Sequence, residues 1–194
     1  QKQGIIKSIK QGEIAERQRR IGKSTLKQNA LQNHFGIDLT IPSAYHVFKE
    51  NAKTVWFQRE IRKGHVNLLI YELPNSTTLN WQNPLQDIIR IRDSVGRAFI
   101  PGRLEGTHLI TEEAYEPYVY YTKMAGMQAI ETRGTWEVKG DFMAGPFVQY
   151  LIDDKANNRY LILEGFVFAP SIAKSDYVLE TDAVIQSIRK KNKD

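Results

Sequence analysis

Cysteine is absent from this chain of 194 residues. Its absence excludes disulfide bonds, thiolate metal sites and cysteine nucleophiles, and it fits a reducing or an oxidising compartment equally well. No apolar run approaches the roughly 20 residues with which a helix crosses a bilayer. Residues 1–4 lack the apolar segment of a signal peptide, and the chain begins without Met. We therefore expect a fragment of a longer protein that carries its targeting signal elsewhere.

Histidine is scarce, and its four copies are scattered. They lie in four separate segments, and no two share the spacing of metal ligands on one element: His34, His46, His65 and His108. The Gly-x-Ser-x-Gly sequence of a serine nucleophile is missing as well. The adjacent Asp153 and Asp154 favour a turn over paired-carboxylate catalysis, although carboxylates that meet only in space are invisible in a sequence. We predict no metal site and assign no catalytic residue.

A phosphate-binding loop is also missing. Gly22-Lys23-Ser24 resembles the end of such a loop, but Arg17 stands where the motif requires glycine. No apolar strand leads into the segment, and the amides that would surround a phosphate need the conformational freedom of that glycine. We therefore expect neither a nucleotide nor another cofactor.

Positive charge is concentrated at the N-terminus. Residues 1–36 contain eight Lys or Arg against two Glu, a net charge of +6, whereas the remainder carries −1. A basic arm of this kind could meet nucleic acid or an anionic surface. A solvated helix face explains it better, so nucleic acid is the less favoured partner. We divide the chain into a basic N-terminal helical segment, residues 1–36, and an α+β sheet domain, residues 37–194.

The N-terminal segment has the sparse apolar pattern of one or two helices. Its apolar residues are compatible with a single stripe: Ile5, Ile6, Ile9, Ile14, Ile21, Leu26, Leu31 and Phe35. Glycine weakens a helix, so the pattern predicts a break near Gly22. Ser24 is placed to cap a second helix that runs to His34, and Gly36 to stop it.

The next part of the chain reads as strands around one helix. Residues 37–41 alternate as a half-buried strand, and residues 43–50 are typical of a turn or a short helix. Residues 54–61 and 66–73 predict a hairpin. A helix starts at Asn83-Pro84 and ends at Ile100-Pro101-Gly102. Residues 103–117 then predict a long loop.

Strands dominate the rest of the chain. The strand signals cover residues 118–122, 127–132, 135–138, 147–152 and 160–168, with turn residues at 153–158. Ser175 or Asp176 begins a last helix that runs to Ile188. Strand-rich runs divided by helices predict an α+β fold: one antiparallel sheet with helices packed against it.

Two arginines are candidates for a site. Arg92 and Asp93 lie within the predicted helix, and Arg133 begins a strand near Trp136. A buried arginine forms a bidentate pair with a carboxylate, so an Arg–Asp network in the core is the favoured interpretation. The alternative is a small-ligand receptor or an enzyme in which these four residues converge, with the 103–117 loop and its His108 as a lid.

Aromatic residues and one apolar loop add further candidates. Residues 115–121 hold four tyrosines that could line a groove with Trp136 or fill a core. Phe142 and Met143 are apolar for a loop, so we expect at least one of them to pack on the sheet end or a helix. The alternative is an exposed knob that docks a partner. Pro146 cannot donate to a ladder, so we expect it at the first position of the 147–152 strand or on an edge.

An ordered set of motifs carries a family resemblance over roughly residues 1–190. The motifs are Ile41-Pro42 with Tyr45, Trp56-Phe57-Gln58-Arg59-Glu60, Arg92-Asp93-Ser94, Ile100-Pro101-Gly102, Glu131-Thr132-Arg133-Gly134-Thr135-Trp136-Glu137-Val138, Phe142-Met143-Ala144-Gly145-Pro146-Phe147, Asn158-Arg159 and Glu164-Gly165-Phe166-Val167-Phe168-Ala169-Pro170. Together they resemble the Bacteroidetes domain-of-unknown-function family 4837. Ala144 departs from the glycine expected there, and residues 174–177 from a more basic helix start.

The resemblance implies a location but no catalytic residue. It implies the C-terminal part of a longer protein at the cell envelope, on the periplasmic side of a membrane, lipid-anchored through a cysteine outside this chain. The order of strands and helices also resembles PsbP-like α/β/α sandwiches, modules that generally bind partners. We therefore expect a non-enzymatic envelope module that binds a protein or another envelope component.

Overall fold

The computed structural model describes residues 2–191, with side chains from residue 8 onward. Its main element is an eight-stranded antiparallel sheet with helices on both faces, so the predicted α+β class is confirmed. We call the face that bears the first, second and fourth helices the rear face, and the face that bears the third helix the front face. Each face buries its own apolar cluster.

The described part of the chain forms four α-helices and ten strands. The helices are α1 (Lys2–Ile21), α2 (Ala30–Phe35), α3 (Leu85–Phe99) and α4 (Ser175–Gln186). The strands are β1 (Ile37–Asp38), β2 (His46–Asn51), β3 (Thr54–Ile61), β4 (Gly64–Pro74), β5 (Leu109–Thr111), β6 (Tyr118–Met124), β7 (Met127–Val138), β8 (Ala144–Asp154), β9 (Arg159–Phe168) and β10 (Arg189–Lys190). The large sheet has the order β2-β3-β4-β9-β8-β7-β5, β6 also pairs with β7, and β1 pairs with β10.

Two hairpins were predicted correctly. β3 pairs with β4 and β8 with β9 in uninterrupted antiparallel registers. The connection between β8 and β9 is a short 3₁₀ turn followed by Asn158 at φ 55°, a left-handed position that asparagine tolerates. β9 lies at the centre of the sheet between β4 and β8, and nine of its ten residues are buried.

Four segments differ from the sequence prediction. Residues 46–50 form most of β2 and are no helix or turn, because this exposed edge strand buries none of its residues and leaves no alternating pattern. The first strand is shorter than predicted and ends at Asp38. The 103–117 segment is interrupted by β5, which pairs with β7. Residues 135–138 are no separate strand, since they continue β7.

Pro146 does not occupy the predicted position. It is the third residue of β8, a strand with neighbours on both sides, because β8 begins by pairing with β7 from Ala144 onward. Pairing of β8 with β9 starts only at Phe147, the residue that follows Pro146. Pro146 therefore precedes the ladder with β9, and its missing N–H removes no pair from it.

The N-terminal helices pack on the rear face of the sheet. α1 ends at Ile21, as the break near Gly22 predicted, and Gly36 at φ 64° stops α2. Ser24 does not cap α2, which begins only at Ala30; its hydroxyl lies 2.7 Å from that of Ser43. The division of the chain at residue 36 stays a prediction.

Polar contacts fix α1 against the sheet and α4. The Lys10 ammonium donates to Glu131 of β7 at 3.0 Å, and the Gln18 amide donates to the Ala183 carbonyl at 2.9 Å. Ile14 and Ile21 join the rear cluster. Part of the basic surface of α1 is therefore used inside the fold.

Candidate functional site

Arg92 lies on α3 and is buried against the front face of the sheet. Its guanidinium donates twice to Glu164 Oε1, at 3.1 and 2.7 Å, and once to Thr111 Oγ1 at 3.1 Å. The guanidinium carbon also lies 3.9 Å from the centre of the Phe147 ring. Gln149 donates to the other oxygen of Glu164. These contacts satisfy a buried ion pair in the way a structural network requires.

Asp93 extends this network towards β5. Its Oδ1 accepts from the Thr111 amide at 2.7 Å and from the Thr111 hydroxyl at 2.8 Å. The predicted core arginine network is therefore present, but Glu164 and not Asp93 is the carboxylate that pairs with Arg92. The difference arises because Asp93 follows Arg92 directly, and adjacent helical residues do not face each other.

Arg133 lies on the opposite face of the sheet from Arg92. It donates to Glu131 and to Asp182 of α4, within a group that includes Lys10 and Tyr150. Burial and the neighbouring Asp182 carboxylate raise the pKa of Tyr150, which remains a hydroxyl donor to Asp182 at 2.7 Å. The alternative hypothesis, in which Arg92 and Arg133 converge in one site, is therefore wrong.

The spacing of Arg133 and Trp136 explains their separation. Side chains alternate between faces along a strand, so residues three apart point to opposite sides. Trp136 belongs to the front cluster and packs near Phe166 and Phe168, with ring centres 5.9 and 6.2 Å away. Its indole N–H donates to no group in the part of the chain that the structure describes.

The other sequence candidates lie apart from Arg92 and Arg133. Met143 packs against the front cluster, as predicted for at least one residue of its pair, whereas Phe142 is fully exposed. The docking role stays a prediction for Phe142. His108 is half-buried and pairs with Pro101 in an isolated bridge. The tyrosines neither line a groove with Trp136 nor fill a core, since all four are exposed: Tyr115, Tyr118, Tyr120 and Tyr121.

An apolar cavity lies on the front face, where α3 ends. We call it the front cavity; its volume is about 280 Å³. Its floor and walls come mainly from Trp56, Phe99, Leu109, Trp136, Val138 and Phe166. The volume is close to the lower limit of small-ligand sites, which span roughly 300–1,000 Å³ and have mostly apolar and aromatic linings.

The ends of several elements create the front cavity. α3 stops at Phe99, and the segment that follows it, residues 100–103, lines the cavity. In β2, which also lines the cavity, the register shifts between Val47 and Lys49. A bulge of this kind breaks the alternation of side chains, and Phe48 and Lys49, although consecutive, both line the cavity.

The polar groups of the cavity wall are few. Trp56 and Gln58 both donate to Asn67 Oδ1 at 3.0 Å, and the Asn67 amide donates to the Phe166 carbonyl at 3.3 Å. His65 also lines the cavity, with its ring centre 5.5 Å from that of Phe168. Burial lowers the pKa of His65 below its ordinary value of 6.5, against a smaller opposing effect of Glu60.

The lowered pKa of His65 predicts a loss of stability in acid. The unfolded chain binds a proton at His65 more readily than the folded chain does, so stability rises with pH in this range. The contribution is complete above about pH 6.5 and is lost as the pH falls through the folded pKa. We expect the free energy of unfolding to fall more between about pH 7 and pH 5 in the wild type than in His65→Gln. An equal decrease in the free energy of unfolding in the two proteins over this pH range, measured by urea unfolding, would contradict this.

Sequence reasoning found Trp136 and Met143 but missed most of the cavity. Trp56 and Phe166 were recognised only as strand residues, because a single strand does not reveal which other strand ends close a cavity. Lys49 was missed because β2 was predicted as a turn or a helix. The sequence did offer one signal. Residues two positions apart on a strand share a face, which places His65, Asn67 and Leu69 on one face of β4.

Neither a metal centre nor a membrane span is evident in the described region. Within residues 2–191, no three His, Asp or Glu side chains are grouped so as to hold a metal ion. Among the helices described, none combines the length and the apolar character that crossing a bilayer requires.

A protein family and a solved structure resemble this chain. A family model described as "Domain of unknown function (DUF4837)" matches residues 24–187. No curated protein matches the sequence significantly. The crystal structure of LpqN, involved in cell envelope biogenesis of Mycobacterium tuberculosis, is similar at a TM-score of 0.44 and 11% identity, over 77% of this chain and 79% of that chain. A likeness at this level carries no argument about function.

Proposed function

This chain belongs to the DUF4837 family, and from that premise we propose that it is a non-enzymatic cell-envelope module that binds the apolar part of a small ligand in its front cavity. The cavity carries the proposal. It is concave and largely apolar, it is built from several strand ends and one helix end, and aromatic rings form much of its wall. These are the features of small-molecule binding sites.

The lining of the cavity supports binding over catalysis. It contains no Asp, Glu, Ser, Thr or Tyr, and its ionisable residues are Lys49, His65 and Arg103. Arg103 is engaged by Asp141 through hydrogen bonds of 3.0 and 2.6 Å. In the part of the chain that the structure describes, no carboxylate is hydrogen-bonded to His65 to orient it as a base. A nucleophile with an oriented base, which covalent catalysis requires, is therefore missing from the lining.

Family membership supports the placement at the envelope. The resemblance implies a periplasmic module held to a membrane by a lipid anchor outside this chain. A ligand with an apolar part fits that setting, because envelope components combine acyl or isoprenoid chains with polar heads. An envelope protein that docks at the exposed Phe142 remains a compatible partner.

Titration with N-phenyl-1-naphthylamine, an uncharged dye that fluoresces in apolar surroundings, tests the binding function. We expect saturable binding to the wild type. Val138→Phe places a ring in the cavity and should weaken binding by about tenfold or more, the equivalent of about 1.4 kcal/mol. Met143→Trp, which narrows the rim, is a second variant with the same expected direction.

Ile110→Phe is the matched control for this titration. Ile110 precedes Thr111 on β5, its side chain belongs to neither apolar cluster, and it does not line the cavity. This variant should bind the dye like the wild type, and circular dichroism should show that all variants are folded. No saturable binding by the wild type, or equal binding by the folded Val138→Phe and Met143→Trp variants, would contradict the proposed function.

A further inference from the structure

A second, wider cleft adjoins the front cavity on its open side. We call it the outer cleft; its volume is about 570 Å³. Lys49, Phe99 and Pro101 line both spaces, so the two are contiguous. The outer cleft is therefore the neighbouring space for a ligand that extends beyond the front cavity.

The outer cleft is basic. Lys49, Arg97 and His108 contribute to its lining, and no carboxylate does. Within residues 8–191, whose side chains the structure describes, neither Lys49 nor Arg97 forms an ion pair. Arg103, at the edge of the front cavity, differs because Asp141 neutralises it.

Lys49 stands at the junction of the two spaces. Its ammonium lies 5.5 Å from the centre of the Phe99 ring, which itself lines both the front cavity and the outer cleft. A cation thus marks the point where an apolar wall gives way to a basic one. A neutral apolar ligand would leave these cations unused, and a cationic one would be repelled by them.

We propose that the ligand is an anionic amphiphile, with its apolar tail in the front cavity and a single carboxylate or phosphate head against Lys49 and Arg97 in the outer cleft. The inference rests on the proposed binding function and adds the chemical class of the ligand. Arg97 offers the planar donor fork that suits either head, and Lys49 offers a point charge. The tail removes the aromatic wall from water.

Competition with bound N-phenyl-1-naphthylamine measures the preference for head groups. The competitors are octanoate, octyl phosphate, octanol and octyltrimethylammonium, which differ mainly in their heads. Both anions should displace the dye from the wild type at concentrations about tenfold lower than octanol does. One charge-assisted hydrogen bond contributes enough free energy for about a tenfold gain in affinity. The cationic compound should be the weakest. The tighter of the two anions distinguishes a fatty acid from a phosphorylated lipid as the source.

A double variant localises the anion. Lys49→Gln with Arg97→Gln should weaken octanoate and octyl phosphate by about tenfold or more and leave octanol within about twofold. Lys23→Gln with Lys27→Gln removes the same charge from exposed positions between α1 and α2 and should change neither. A higher salt concentration should weaken the anions but not octanol.

The outcomes separate this inference from the proposed function. The proposed anionic head is wrong if octanol displaces the dye from the wild type as effectively as octanoate does. It is also wrong if the two double variants bind the anions equally. In both cases dye binding, and with it the proposed function, still stands. Absence of dye binding to the wild type would overturn the proposed function itself.

Discussion

Replacing Arg92 by alanine is expected to lower the free energy of unfolding by about 3–5 kcal/mol, because it leaves the Glu164 carboxylate buried without its cation. Arg92 and Glu164 are each 2% exposed. After the replacement Glu164 keeps the Gln149 amide as a donor, and Thr111 loses one of its bonds. The ring of Phe147 also loses the cation above it.

Urea unfolding of three variants distinguishes the loss of the buried ion pair from the loss of any arginine on α3. Arg90→Ala removes an exposed arginine of the same helix, whose bonds reach Asp87 and the Thr78 carbonyl, and should cost at most about 1 kcal/mol. Arg92→Met combined with Glu164→Leu removes both buried charges and should recover much of the stability lost in Arg92→Ala. Equal losses for Arg90→Ala and Arg92→Ala, with unchanged denaturant slopes, would contradict the assigned network.

Gly165→Ala is expected to destabilise the protein by about 1–3 kcal/mol, because α4 crosses β9 at this residue with no space for a side chain. A Cβ atom there would lie 2.3 Å from Thr181 Cβ and 2.5 Å from Thr181 Oγ1. Thr181 is fully buried and donates to the Val178 carbonyl of α4 at 2.9 Å. Relief therefore requires a shift of the helix itself.

Thermal or urea unfolding of Gly165→Ala should be compared with Gly12→Ala. Gly12 lies in α1, and a Cβ atom there would meet nothing within 4 Å. Alanine is the better helix former by about 1 kcal/mol, so Gly12→Ala should be neutral or stabilising. A Gly165→Ala protein as stable as the wild type would show that α4 does not pack on β9 at this point.

Local patterns predicted the elements that bury one face or both. The β3–β4 and β8–β9 hairpins and the last two helices have strong apolar patterns with turn or start signals at their ends, and the structure has them close to the predicted bounds. β2 was missed because an edge strand with six exposed residues carries no such pattern. β5, with three residues, is too short for periodicity to reveal.

The candidate site was harder to predict because it depends on which strands become neighbours. Arg92 was correctly singled out as a core residue, but its partner Glu164 lies 72 positions away and no local rule connects the two. Strand alternation does separate Arg133 from Trp136, and this argument was available from the spacing alone. The cavity itself is lined by residues of six strands, β2, β3, β4, β5, β7 and β9, so it depends on how those strands pair.

The indole N–H signals of the protein test the front cavity most directly. The chain has three tryptophans, so a nitrogen–proton correlation spectrum shows three such signals, assignable by single Trp→Phe replacements. Trp56 and Trp136 line the cavity, whereas Trp81 packs near Tyr160 away from it. On titration with octanoate, the signals of Trp56 and Trp136 should shift together and saturate while that of Trp81 stays in place. A shift of Trp81 alone, or no saturable shift of Trp56 and Trp136, would contradict a ligand site in the front cavity.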